Sequence, residues 1–181
     1  VGSEMCIRDR HYCCQSEHKY ATLLIRTYVR DMIKEWLEMD IKDILFGFLF
    51  EIAKEYKLDV NLEEPGSPIP TCVVPEDRNI FLNYTDVGER KQAFQFAHEL
   101  GHYLNGDQER CDCDSAILDI KREYYADRTA TKLILKGLSK NSIYFSNLYD
   151  LMEICAIPFN MVDCVNELIT NQYPSLIASF N

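Results

Sequence analysis

The five residues His98-Glu-Leu-Gly-His102 constrain the fold of this chain more than any other feature of its sequence. The two histidines are four positions apart, and on an α-helix this spacing places both imidazoles on one face. Two such imidazoles can bind one tetrahedral zinc ion, and the adjacent Glu99 then reaches a water molecule on the metal. The motif therefore predicts a helix here and a Zn2+ site with His98 and His102 as ligands, rather than a solvated histidine pair.

A catalytic zinc ion also needs a third protein ligand and an open position. Glu123 lies on the next predicted helix and is the best candidate for that ligand. Asp127 is one turn further along the same face, where it could accept a hydrogen bond from the non-ligating nitrogen of His98. The alternatives are that Glu123 is a surface acid and that Asp127 pairs with a basic neighbour such as Arg128.

The hydrophobic pattern before the motif predicts one helix and two strands. Apolar residues from Ile41 to Tyr56 recur at helical spacing, and Ile44 and Tyr56 belong to the predicted buried face. Short strands are expected at Thr71 to Val74 and at Asn79 to Tyr84, on either side of a turn.

The pattern around and after the motif predicts further helices. Asp86 and Glu89 form a capping pattern for the motif helix, which should end at Asn105-Gly106 because both residues tolerate a left-handed cap. A long helix is expected from Ser115 to Lys136, stopping at Gly137. Two more helices should follow, separated near Pro158.

Charge and cysteine content exclude several classes of function. A formal net charge of −10 disfavours direct binding to nucleic acid or to an anionic membrane surface. No apolar run approaches the roughly 20 residues of a membrane-spanning helix, and no signal peptide is visible. We therefore interpret the eight cysteines as reduced thiols and expect a cytoplasmic protein.

Two of these cysteines, Cys111 and Cys113, lie in an acidic loop. Structural zinc sites use wider cysteine spacing, so plain loop thiols are the favoured interpretation. A second metal site that also uses Cys13 and Cys14 is the alternative.

Several segments resemble the ImmA/IrrE family of metallopeptidases. The stretch Arg90-Lys-Gln-Ala-Phe-Gln-Phe-Ala-His-Glu-Leu-Gly-His102 resembles the core of that family, and Asn79-Ile-Phe-Leu-Asn83 resembles its preceding strand. Glu123 to Leu135 resembles its second signature, and Asp150 to Leu168 resembles its C-terminal pair of helices.

The resemblance implies a zincin-like α+β fold, with a small β-sheet, an active-site helix carrying HExxH and mostly helical surroundings. It also implies a gluzincin-type site with His98, His102 and Glu123 as zinc ligands and Glu99 as the catalytic base. Family members commonly occur in phages and other mobile elements, where they cleave or otherwise inactivate a helix-turn-helix repressor.

The chain is thus predicted to be a zinc-dependent metalloendopeptidase that acts on such a repressor, with Glu99 as general base on a zinc-bound water. The phenols of Tyr103, Tyr124 and Tyr125 are candidates for stabilising the oxyanion. The substrate is expected to lie along the edge of the Asn79–Tyr84 strand. The alternative is a non-proteolytic regulatory or toxin–antitoxin protein that binds a repressor through the same fold.

The expected organisation has four parts. Residues 1–17 form an unreliable or disordered N-terminal segment whose first ten residues resemble translated adaptor sequence, and residues 18–40 form an N-terminal helix. Residues 41–137 form the zincin-like metallopeptidase core, and residues 138–181 form C-terminal helices packed on it.

Overall fold

The structure, a computed structural model, describes residues 41–64, 66–83, 91–107 and 116–177. All of them lie in the unit Asp40–Asn181. Several predictions concern other parts of the chain and lie outside the described residues: the segment 1–17, the helix 18–40, the cap at Asp86 and Glu89, and the cysteines Cys13, Cys14, Cys111 and Cys113.

The described residues form an α+β fold, as the sequence predicts. Helix α1 covers residues 41–55, and the later helices are α2 (Gln92–Asn105), α3 (Ala116–Lys140), α4 (Leu148–Ile154) and α5 (Val162–Gln172). Strands β1 (Asp59–Glu63), β2 (Cys72–Val74) and β3 (Asn79–Asn83) form a three-stranded sheet. Within these residues, no helix is both long enough and apolar enough to span a membrane.

The order of the strands corrects one prediction. β3 is the central strand, because β1 pairs with it in parallel and β2 pairs with it antiparallel on the other side. The Asn79–Tyr84 segment therefore has no free edge along its described residues, and the substrate cannot add a strand there. Among the described strands, β2 is the edge strand on its side of the sheet, and it contacts α2.

Helix α1 buries most of the predicted apolar stripe. Leu45, Leu49 and Ala53 are almost completely buried, whereas Ile44 and Tyr56 are exposed, against expectation. Tyr56 follows the end of the helix, and its ring stacks edge-on against Tyr103 with the centroids 6.2 Å apart. The prediction therefore assigned two residues too many to the buried face: Ile44 at its margin and Tyr56 beyond the end of the helix.

Helix α2 ends as predicted, but α3 does not. Gly106 adopts the left-handed conformation (φ 73°) and caps α2. Gly137, the predicted stop of α3, lies inside the helix, which continues to Lys140. A Cβ atom at Gly137 would lie 2.7 Å from Cδ1 of Phe48, so this glycine serves close packing of α3 against α1. The predicted break between the last two helices at Pro158 is confirmed.

Helices α2 and α3 approach each other closely at Gly101. A Cβ atom on this residue would lie 2.7 Å from the carbonyl oxygen of Ala126, which is backbone and cannot rotate away. The absence of a side chain at Gly101 therefore allows the two helices to touch. This contact brings Glu123 and Asp127 of α3 alongside the histidines of α2.

We predict opposite effects on stability for two glycine-to-alanine changes. Gly101→Ala should lower the free energy of unfolding by about 1–3 kcal/mol, because α2 and α3 must separate to accept the methyl group. Gly47→Ala is the matched control, since Gly47 lies on α1 and a methyl group there would have no atom within 4 Å. It should stabilise the protein by about 0.5–1 kcal/mol. Urea denaturation followed by circular dichroism measures both, and equal effects would contradict the proposed helix contact.

Candidate metal centre

The two histidines of α2 and the glutamate of α3 meet at one point. The Nε2 atoms of His98 and His102 are 3.0 Å apart. The Glu123 carboxylate places Oε2 3.3 Å from Nε2 of His98 and Oε1 3.7 Å from Nε2 of His102. Among the described residues, these three form a group that could hold a metal ion, with one donor atom from each lying within 4.8 Å of the others.

A carboxylate also contacts Nδ1 of each histidine, the ring nitrogen that does not face the other histidine. Nδ1 of His98 lies 2.9 Å from Oδ1 of Asp127, which is the partner that sequence spacing suggests. The alternative for Asp127, an ion pair with Arg128, is not what the structure shows, because Arg128 contacts Glu167 at 3.5 Å. The arrangement matters because a hydrogen bond at Nδ1 leaves Nε2 free to bind a metal.

The second carboxylate, Asp107, is one that the sequence analysis missed. Its Oδ2 lies 2.9 Å from Nδ1 of His102. Asp107 directly follows the glycine that caps α2. The only signal in the sequence is an acidic residue just after the predicted left-handed cap. The sequence alone does not indicate that this residue contacts His102, because the contact depends on the direction that the chain takes after Gly106.

Charge around His98 favours its protonated imidazole when no metal is present. Burial by itself lowers the pKa of His98, but the hydrogen bond to Asp127 and the charges of Glu99 and Glu123 outweigh it, so the pKa is raised. The same acidic surroundings attract a bound cation.

Glu99 is buried beside the histidines and near the sheet. Its carboxylate accepts a hydrogen bond from Nε2 of Gln95 at 2.9 Å and another from the backbone N–H of Val73 on β2. Burial raises the pKa of Glu99, although His98 and these hydrogen bonds partly oppose the shift. The result is a carboxylate held in place with increased affinity for a proton.

A cavity of about 640 Å³ opens over these groups. Residues 70–73 and Pro75 form one wall, α2 supplies another, and Asp119, Arg122 and Glu123 of α3 form a third. The volume falls within the usual range of small-molecule and active-site pockets.

None of the three tyrosines proposed as oxyanion donors is among the described residues that line this cavity. Tyr103 instead packs against Tyr56, and Tyr124 and Tyr125 are exposed. Arg122, which the sequence analysis did not consider, lines the cavity and forms an ion pair with Asp119 at 3.8 Å.

Part of the chain matches a known protein family. Residues 63–137 match the family model described as the IrrE N-terminal-like domain, which is a peptidase family. The matched range contains the two histidines, Glu123, and the aspartates Asp107 and Asp127 that contact the histidines. No curated protein and no solved structure matches the chain.

We predict that Glu99→Gln stabilises the metal-free protein. Because the pKa of Glu99 is raised on folding, the ionised side chain opposes folding once the pH exceeds the pKa of the unfolded chain. The melting temperature of the variant should therefore exceed that of the unaltered protein by a few degrees at pH 7 to 8. The difference should shrink toward pH 4, where the carboxyl group is protonated in both states. Melting curves recorded with chelator test this, and a lower melting temperature for the variant at pH 8 would contradict the burial argument.

Proposed function

We propose that this chain, whose residues 63–137 belong to the IrrE N-terminal-like domain family, is a zinc-dependent endopeptidase that hydrolyses a peptide bond in a protein substrate. The observation that carries the proposal is the shared cavity: His98, His102 and Glu123 converge on one point of its wall, and Glu99 lines the same cavity. A peptidase of this type needs a metal site and a proton acceptor beside it.

The donor set supports zinc as the metal. Ligand atoms at about 2.0–2.1 Å from a tetrahedral zinc ion lie about 3.3 Å from one another. The three separations between the donor atoms of His98, His102 and Glu123 are 3.0, 3.3 and 3.7 Å. Two imidazoles and one carboxylate are also a known ligand set of catalytic zinc, in which the fourth position stays open.

Glu99 acts as the general base in this proposal. When bound, the zinc ion would act as a Lewis acid that lowers the pKa of a water molecule and polarises the carbonyl group of the substrate. The Glu99 carboxylate takes the proton from the attacking water and delivers it to the leaving amine. Burial suits it to both steps, because its raised pKa brings its proton affinity closer to the working pH.

The edge of β2 is the best site for an extended substrate, in place of the β3 edge expected from the sequence. Among the described strands, β2 pairs only with β3, and residues 71–73 line the cavity. A peptide that adds to this edge would pass over the metal ligands and bind backbone groups of β2 other than the N–H of Val73, which donates to Glu99. Arg122, which lines the cavity from α3, would supply a cationic donor to the developing oxyanion.

For the substrate itself, we propose a helix-turn-helix repressor of a phage or other mobile element, cleaved in the cytoplasm. The resemblance to the ImmA/IrrE family is the basis for this proposal. Charge supports it, because a repressor carries a basic DNA-binding surface and this chain has a net charge of −10. Opposite charges of this kind speed association.

We predict that Glu99→Gln strongly reduces cleavage while the metal stays bound. Loss of the general base should lower turnover of a repressor encoded beside this chain by roughly 10²–10⁴-fold. Glu55→Gln, at an exposed position of α1, is the matched control and should cleave normally. Cleavage is followed on gels and by mass spectrometry, and metal content by elemental analysis.

Two outcomes would contradict the proposal. Undiminished cleavage by Glu99→Gln would remove the assigned base. Equal inhibition of the repressor by both proteins, at one chain per repressor and without any cleaved product, would favour the non-proteolytic alternative.

A further inference from the structure

We propose that Asp107 is a positioning residue that fixes the imidazole of His102 for metal binding, and that the left-handed cap at Gly106 holds Asp107 in place. This inference rests on the proposed function, because it concerns the same metal site. It adds a second orienting carboxylate to the one that the sequence predicts for His98.

The hydrogen bond between Asp107 and His102 determines which ring nitrogen can bind a metal. Oδ2 of Asp107 lies 2.9 Å from Nδ1 of His102, and both side chains are largely shielded from solvent, with 18% and 16% of their surface exposed. A carboxylate can only accept a hydrogen bond, so Nδ1 carries the proton and Nε2 presents its lone pair.

Asp107 supports the metal site without being one of its ligands. Nε2 of His102 is the atom that faces His98 and Glu123. Asp107 contacts the other nitrogen of the ring. Its role is therefore to orient the ligand and to raise its basicity, as outer carboxylates do behind metal-bound histidines.

The end of α2 places Asp107 where it can do this. The backbone N–H of Gly106 donates to the carbonyl oxygen of Tyr103, and that of Asp107 donates to the carbonyl oxygen of His102, both at 3.1 Å. This pair of bonds is the Schellman motif, which requires a left-handed residue at its centre. Gly106 meets that need with φ 73°.

Asp107 and His102 are consequently joined twice, once through the backbone and once through the side chains. The last residue of α2 is fixed as well, because Oγ1 of Thr129 on α3 donates to Oδ1 of Asn105 at 2.9 Å. The turn that ends the helix is thus anchored on both sides. Its conformation sets the direction of the Asp107 carboxylate.

The two histidines therefore obtain their orienting carboxylates from different parts of the fold. Asp127, on α3, holds His98, and Asp107, in the turn after α2, holds His102. Loss of either carboxylate should weaken metal binding without removing any ligand.

Zinc affinity of the full chain, measured by competition with a chromophoric chelator, tests the proposal. Asp107→Ala should bind zinc roughly 10–100-fold more weakly than the unaltered protein, the range typical for loss of such a partner. Asp127→Ala should weaken binding similarly. Asp43→Ala, which removes an exposed aspartate of α1, should have no effect. Gly106→Asn should retain affinity because asparagine tolerates the left-handed cap, whereas Gly106→Val should lose it.

A second readout separates positioning from general loss of structure. In the zinc-loaded, ¹⁵N-labelled protein, nuclear magnetic resonance should show His102 protonated at Nδ1, with that proton slow to exchange with solvent. In Asp107→Ala the proton should exchange rapidly, while the circular dichroism spectrum stays unchanged.

The outcomes distinguish this inference from the proposed function. If the unaltered protein binds zinc and Asp107→Ala binds it equally well with the Nδ1 proton still protected, the role of Asp107 is overturned and the metal site stands. If the unaltered protein binds no zinc, the proposed function fails, and the role of Asp107 fails with it.

Discussion

The close contact between α2 and α3 at Gly101 is the constraint on which the site depends. A single added methyl group would meet the backbone of Ala126 at 2.7 Å. Because the helices touch there, Glu123 and Asp127, which lie on either side of Ala126 along α3, come within hydrogen-bonding distance of His98. The glycine of the His98-Glu-Leu-Gly-His102 motif therefore serves helix packing, while His98, Glu99 and His102 are the positions to which we assign the chemistry.

Hydrogen bonds and charge then give the site its chemical character. Carboxylates at Nδ1 of both histidines leave the two Nε2 atoms facing each other across 3.0 Å, with Glu123 beside them. Lone pairs directed at one another repel unless a proton or a cation lies between them. Although burial opposes it, the hydrogen bond to Asp127 and the charges of Glu99 and Glu123 raise the pKa of His98. The same cluster could hold a metal ion. Buried Glu99 adds a proton acceptor to the same cavity.

Local signals in the sequence predicted the parts of the fold that local interactions determine. The motif helix, its cap at Gly106, the strands β2 and β3 and the break at Pro158 all depend on nearby residues. Strand β1 was missed because Asp59-Val-Asn-Leu-Glu63 is mostly polar, with Leu62 exposed, so pairing with β3 rather than burial defines it. The same omission placed the substrate on β3. Gly137 was misread as a helix stop because its reason, contact with Phe48, is tertiary.

In the site, too, the arrangements that depend on local spacing could be predicted, whereas those that depend on tertiary structure could not. That Glu123 and Asp127 lie beside His98 could be predicted because they are four residues apart on one helix, a spacing that the sequence reveals. Asp107 and Arg122 were missed because their positions depend on how the chain turns after α2 and on which face of α3 lines the cavity. Spacing along the sequence does not report either of these.

The central claim is that His98, His102 and Glu123 hold one zinc ion, and the metal content of the purified full chain tests it most directly. Elemental analysis should find one zinc ion per chain, close to none in His98→Ala, and an unchanged amount in the double variant Cys111→Ser, Cys113→Ser. Zinc retained in His98→Ala but lost from the cysteine variant would place the metal in the acidic loop and contradict the account. The absence of zinc from the unaltered protein, even after incubation with the metal, would contradict it as well.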